Sequence, residues 1–91
     1  METETKQKIQ TRLRRVAGQI GGIQRMVDDD RYCVDVLLQI AAARAALDRV
    51  GKILLGSHVK TCVSDALRGD DRADRDQKID ELLEVFERYG S

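Results

Sequence analysis

The chain has no proline and no tryptophan, a single phenylalanine, one histidine and two cysteines among its 91 residues. Each shortage excludes something. Without proline nothing forces a helix to break, and with 42% hydrophobic residues, many of them Ala, Leu, Ile and Val, the composition predicts an all-α protein rather than a sheet. So few aromatics disfavour stacking on single-stranded bases and leave phosphate contact on a duplex as the natural mode of any nucleic-acid binding. One histidine, with no Ser or Asp at triad spacing, gives little material for acid–base or nucleophilic chemistry, so neither an enzyme nor an organic substrate is expected. Two cysteines are too few for a disulfide framework and read better as ligands or redox thiols in a reducing compartment. No apolar run approaches the about 20 residues that cross a bilayer, and the charged start METETKQK has no signal-peptide pattern. A cytoplasmic protein without membrane contact is expected.

What is present is charge, unevenly placed. The formal net charge is zero, yet Lys6, Lys8, Arg12, Arg14, Arg15 and Arg25 occur between Thr5 and Val27 without one acidic residue. From Asp65 onward acids outnumber bases. The cationic first segment suits a phosphate backbone, which the overall balance conceals.

Hydrophobic periodicity predicts three helices in a single domain spanning residues 1–91. The first covers about 5–27, with Ile9, Leu13, Val16, Ala17, Ile20, Ile23 and Val27 recurring at three- and four-residue steps and Lys8, Arg12, Arg15 and Gln19 forming a polar stripe. Gly18, Gly21 and Gly22 lower helix propensity by roughly 1 kcal/mol each, so their expected use is close packing against a neighbouring helix. Asp28, Asp29 and Asp30 end this helix and offer an N-cap for the next. The second helix is expected over 31–67, with Cys33, Leu37, Ile40, Leu47, Gly51, Leu54, His58 and Cys62 along one buried seam and Arg49, Lys52 and Lys60 elsewhere on the cylinder. The hydrophilic run RGDDRADR reads as a loop. Asp74 or Asp76 then caps a third helix, 76–89, bearing Ile79, Leu82, Leu83, Phe86 and Tyr89.

The second helix poses a geometric problem. His58 and Cys62 stand one turn apart on one face and can grip the same metal ion. Cys33 precedes His58 by 25 positions, which in a helix is about 37 Å. No single ion spans that distance. Two antiparallel copies of the helix remove the contradiction, with a two-fold axis near Ala46 and Leu47 creating two equivalent sites. Each site then holds two thiolates and one imidazole drawn from two chains, a donor set suited to a soft ion such as Cu(I), at about one ion per chain.

The segments RLRRVAGQI, GIQRMVDDDRYCVDVLLQIAAARAALDRV and HVKTC resemble the copper-sensing repressors of the CsoR family, over nearly the whole chain. The resemblance implies an all-α protein of three helices per chain, paired into an antiparallel four-helix-bundle dimer and assembled as a dimer of dimers. It further implies a repressor that binds double-stranded operator DNA in the metal-free state and releases it on Cu(I) binding, derepressing copper-efflux or resistance genes. Matched residue by residue, Cys33, His58 and Cys62 are the metal ligands. Tyr32 and Glu81 match an outer pair that hydrogen-bonds the ligand histidine and couples metal to DNA release. Arg12 and Lys52 match basic residues used for DNA, Arg15 and Gln19 lie in the related RxxGQ stretch, and Lys8 and Arg49 complete the expected DNA-binding set.

Differences within the family are informative. The resemblance carries no N-terminal histidine and no histidine in place of Cys62, the marks of nickel- and cobalt-sensing relatives. Persulfide-sensing relatives lack the histidine, and formaldehyde-sensing relatives lack a cysteine at the position of Cys62. His58 with Cys62 therefore favours copper, although it does not forbid thiol chemistry. The alternative is a persulfide- or redox-sensing repressor using Cys33 and Cys62; a metal carrier without DNA is a third reading, disfavoured by the acid-free first helix.

Overall fold

The computed structural model describes residues 1–69 and 71–89; Asp70 and residues 90–91 lie outside it, as do the side chains of Cys62, Val63, Ala66 and Leu67. Helix α1 is Thr3–Asp28, against an expected 5–27. The aspartate run stops it. Asp30 adopts the left-handed region at φ 53°, its N–H donates to the Val27 carbonyl at 3.1 Å, and the Arg31 N–H donates to the Met26 carbonyl at 2.9 Å. These two bonds make a Schellman motif, with aspartate in the position glycine most often fills. The run does not cap the next helix, contrary to expectation. The N-cap there is Tyr32, which makes no side-chain capping bond, because the left-handed turn has used the aspartates before that helix begins.

Helix α2 is Cys33–His58, followed by a π-wound turn, Val59–Val63, and the short α3, Ser64–Arg68. Val59 and Ser64 keep right-handed helical torsions, so the helical path, expected over 31–67, runs unbroken over 33–68 and is over-wide near its C-terminal end. The Thr61 hydroxyl donates to the Ser57 carbonyl one turn back at 3.0 Å, a contact that bends helices. Helix α4 is Arg72–Tyr89, four residues longer at its start than expected. Its cap is neither Asp74 nor Asp76. The Asp71 carboxylate accepts the Asp74 N–H at 3.2 Å, and this earlier cap shortens the RGDDRADR loop, of which Asp70 lies outside the described residues.

Helices α1 and α2 form a hairpin. Ile9 and Val16 of α1 and Ala43 and Val50 of α2 are buried, with the same seven-residue spacing on both sides. Arg12, Gln19 and Ile23 are half-buried on the same line of α1, so two polar side chains belong to the seam. The rest of the expected apolar set, Leu13, Ala17, Ile20 and Val27, faces outward instead, with Ile20 49% exposed. One helix partner can cover only one line of α1. The glycines also depart from expectation: a Cβ on Gly18 would meet nothing within 4 Å, and on Gly21 or Gly22 would meet only the Arg25 side chain. Among the described residues no neighbouring helix exploits them.

Helix α4 folds back along the C-terminal half of α2. Leu82 and Tyr89 are half-buried, whereas Ile79, Leu83 and Phe86 of its expected apolar stripe are exposed. Among the described residues there is no strand, no large side chain is fully buried, and no helix is long and apolar enough to cross a membrane. The chain measures 59 × 27 × 16 Å with a radius of gyration of 17.8 Å, where a compact chain of this length has about 12 Å. Leu37, Ile40, Leu47 and Leu54 of the α2 seam are exposed, so the seam expected to be buried is bare along much of its length. A single chain supplies only one of the two surfaces that such a seam needs.

Candidate metal centre and nucleic-acid face

Helix α2 separates the proposed ligands. Cys33 is its first residue, exposed and a free thiol. His58 is its last, half-buried, and the straight rod between them keeps the two about 37 Å apart. Cys62 lies in the π-wound turn one step beyond His58; its side chain is outside the described set. Among the described residues no group of three His, Cys, Asp or Glu side chains of one chain converges. Both separated donors lie on the exposed Leu37–Ile40–Leu47–Leu54 line, at its two ends.

The His58 end is built by two elements. A groove of about 500 Å³ between α2 and α4 is lined by Gly51, Leu54, Leu55, His58, Glu81, Leu82, Val85 and Tyr89. It brings His58 and Glu81 into one mostly apolar enclosure. The Glu81 carboxylate accepts the Gln77 amide at 3.3 Å, which holds it on the same face of α4 one turn from its partner. Tyr32, matched with Glu81 in the sequence, lies at the opposite end of α2 and is 68% exposed. Within one chain it cannot join His58. In an antiparallel pair it would sit beside the other chain's His58, by the same geometry that carries Cys33 there.

The basic residues divide by exposure. Lys8 and Arg15 are exposed and Arg12 half-buried, around a polar groove of about 360 Å³ that also takes in Glu4, Gln7 and Thr11. Gln19 faces the hairpin seam, and its Oε1 is buried with no hydrogen-bond partner. Arg49 is exposed, and Lys52 pairs with Asp48 at 3.1 Å, with both side chains about half exposed. Such a surface pair is worth little and yields readily to a phosphate. Because α1 and α2 run antiparallel from a short turn, Lys8 and Arg12 lie at the height of Lys52 and Arg49. The notched Gly51 and the ring of Tyr89 are site-lining residues that were read from sequence only as seam and helix filler. The signal available was a glycine inside an otherwise Ala- and Leu-rich helix, which marks a close approach.

A family model described as metal-sensitive transcriptional repressor matches residues 5–88. The chain is 46% identical over 87 residues to the copper-sensing transcriptional repressor CsoR of Bacillus subtilis (strain 168), covering 96% of this chain and 83% of that protein. Its fold is similar to the crystal structure of the copper-sensing repressor CsoR with Cu(I) from Geobacillus thermodenitrificans NG80-2, with TM-score 0.84, 40% identity, and coverage of 100% of this chain and 92% of that one. It is also similar to the nickel-responsive transcriptional regulator InrS, with TM-score 0.72, 38% identity, and coverage of 91% and 90%.

Proposed function

The chain belongs to the family of metal-sensitive transcriptional repressors, and from that premise we propose that it is a copper-responsive repressor working in the cytoplasm. Metal-free protein holds double-stranded operator DNA; Cu(I) binding releases it and derepresses copper-efflux or resistance genes. The observation that carries this reading is the placement of Cys33 and His58 at opposite ends of one exposed apolar seam. Antiparallel pairing of two α2 helices covers the seam and, in the same act, assembles Cys33 of one chain with His58 and Cys62 of the other. Two thiolates and an imidazole fit a soft monovalent ion, at about one per chain. Similarity to repressors named as copper-sensing supports copper over nickel.

Cys33, His58 and Cys62 would hold Cu(I), which would supply a soft, positively charged centre there. The chain's own residues do the rest. Glu81 lines the same groove as His58, and in this reading its carboxylate accepts the ring N–H that the metal leaves free, which would fix the tautomer and link α4 to the site. Tyr32 of the opposite chain supports the same imidazole. Lys8, Arg12, Arg15, Arg49 and Lys52 form the duplex-facing surface, contacting phosphates rather than single-stranded bases, whereas Gln19, expected with them, faces the hairpin seam. Two such dimers associate as a dimer of dimers, which multiplies the phosphate contacts.

A second reading, a persulfide- or redox-sensing repressor using Cys33 and Cys62, is favoured by one observation: Cys33 is an exposed free thiol. One experiment separates the two. Operator complexes of wild-type and His58→Ala protein are titrated in parallel with Cu(I) and with polysulfide. Under the copper reading the variant binds operator normally but loses most of a Cu(I) response that amounts to 5- to 150-fold in wild type. A variant that dissociates normally with Cu(I) removes the imidazole from the switch, and release by polysulfide alone establishes the thiol reading.

A further inference from the structure

Gly51 of α2 lies directly beneath the ring of Tyr89, the last residue of α4. A Cβ at position 51 would fall 2.5 Å from Tyr89 Cε1, 2.8 Å from Cζ and 2.9 Å from the hydroxyl oxygen, closer than side-chain carbons approach one another. The ring therefore rests on bare backbone, in a notch that exists only because residue 51 has no side chain. The same groove contains His58 and Glu81. The Gly51–Tyr89 contact and the groove shared by His58 and Glu81 belong to one antiparallel pairing: Gly51 to His58 spans about 10 Å along α2, and Glu81 to Tyr89 about 12 Å along α4. Seating the ring at one end sets the height of Glu81 at the other.

We infer that Tyr89 on Gly51 is a register lock for α4, and that the pair are positioning residues for the metal response because they hold Glu81 level with His58. The inference rests on the reading that His58 senses the metal and α4 relays it. Nothing else in the pairing fixes register so sharply. Ile79, Leu83 and Phe86 are 38%, 58% and 45% exposed, and apolar side chains such as Leu82 and Val85 can slide past one another by a turn at low cost. An aromatic ring seated on bare backbone resists that slide more, because a shift of one turn sets it against a side chain instead of the notch.

The test uses the full-length protein with Gly51→Ala, Tyr89→Ala, Tyr89→Phe and the Gly51→Ala/Tyr89→Ala double variant. Alanine is the better helix former, so Gly51→Ala retains α2, which circular dichroism verifies. Two quantities are read: amide hydrogen exchange across residues 79–86 in metal-free protein, and the ratio of operator dissociation constants with and without Cu(I). Gly51→Ala and Tyr89→Ala are each expected to speed α4 exchange about tenfold and to cut the Cu(I) ratio at least fivefold, the low end of ordinary coupling, with metal-free operator affinity unchanged within twofold. Tyr89→Phe keeps the ring and behaves as wild type. The double variant is no worse than either single one, because a lock is broken only once. Wild-type exchange and ratio in Gly51→Ala, or Tyr89→Phe matching Tyr89→Ala, overturns the lock. Glu81→Gln separates the two levels of inference. If it keeps the full response, the relay through α4 fails and the lock has no function in sensing; if it loses the response while Gly51→Ala keeps it, the lock alone falls.

Discussion

Leu47→Ala tests the pairing on which the metal site depends. If Cys33 of one copy meets His58 and Cys62 of the other, the two-fold axis passes midway between them, beside Ala46 and Leu47, so each Leu47 faces its own symmetry mate. Leu47 is 50% exposed in the single chain. Full burial of a leucine contributes about 2 kcal/mol, so the half still uncovered is worth about 1 kcal/mol on pairing. Symmetry doubles that, and the dimer loses about 2 kcal/mol, roughly a thirtyfold rise in its dissociation constant. Sedimentation equilibrium over a range of concentrations reads the change directly. If the ligands come from two chains as proposed, tight Cu(I) binding weakens over the same concentration range as the dimer dissociates. Leu47→Asp is expected to be more severe, since it buries two like charges near the axis. An unchanged dimer constant in Leu47→Ala, or tight Cu(I) binding by protein that sediments as a monomer, refutes the antiparallel seam.

Two further outcomes follow from the same geometry. Arg12→Gln, which keeps some of the half-buried stem, weakens operator binding for all sequences and lowers the slope of log affinity against log salt by about 1 for each Arg12 that touches a phosphate; fluorescence anisotropy at several salt concentrations measures it, and an unaltered slope removes Arg12 from the DNA face. Asp30→Gly relieves a left-handed aspartate at φ 53°, a strain of roughly 1–2 kcal/mol, against about 0.4–1 kcal/mol of added unfolded-chain entropy. A net gain of about 0.5–1 kcal/mol is expected in urea unfolding of the dimer at fixed protein concentration. A loss of stability there means that the aspartate side chain, rather than the turn, supports the α1–α2 hairpin.

The ligand problem was fully legible before any coordinates. Helical rise is a constant of the backbone, so Cys33 and His58 on one helix must be far apart, whatever surrounds them. The choice between apolar lines on α1 was not legible. Ile9, Val16 and Ile23 share their seven-residue spacing with Leu13, Ile20 and Val27, and periodicity reports angles around one helix without saying where its neighbour stands. The same limit explains Arg12 and Gln19, which read as part of a polar stripe yet lie half-buried in the α1–α2 hairpin seam. It also explains the aspartates of the first turn, whose use as a left-handed stop rather than an N-cap depends on how sharply the chain must reverse.

By itself the sequence determined the all-α class, the cationic first helix and the wide separation of Cys33 from His58 along one helix, because composition, charge and helical rise act locally and do not await packing. Only the tertiary structure decided which face of α1 meets α2, that α4 lies over His58 with Glu81 in the same groove, and that Tyr89 sits on Gly51. Those are contacts between segments distant in sequence, chosen by which surfaces fit together and by the backbone room a missing side chain leaves, and neither quantity is written in the spacing of residues along one helix.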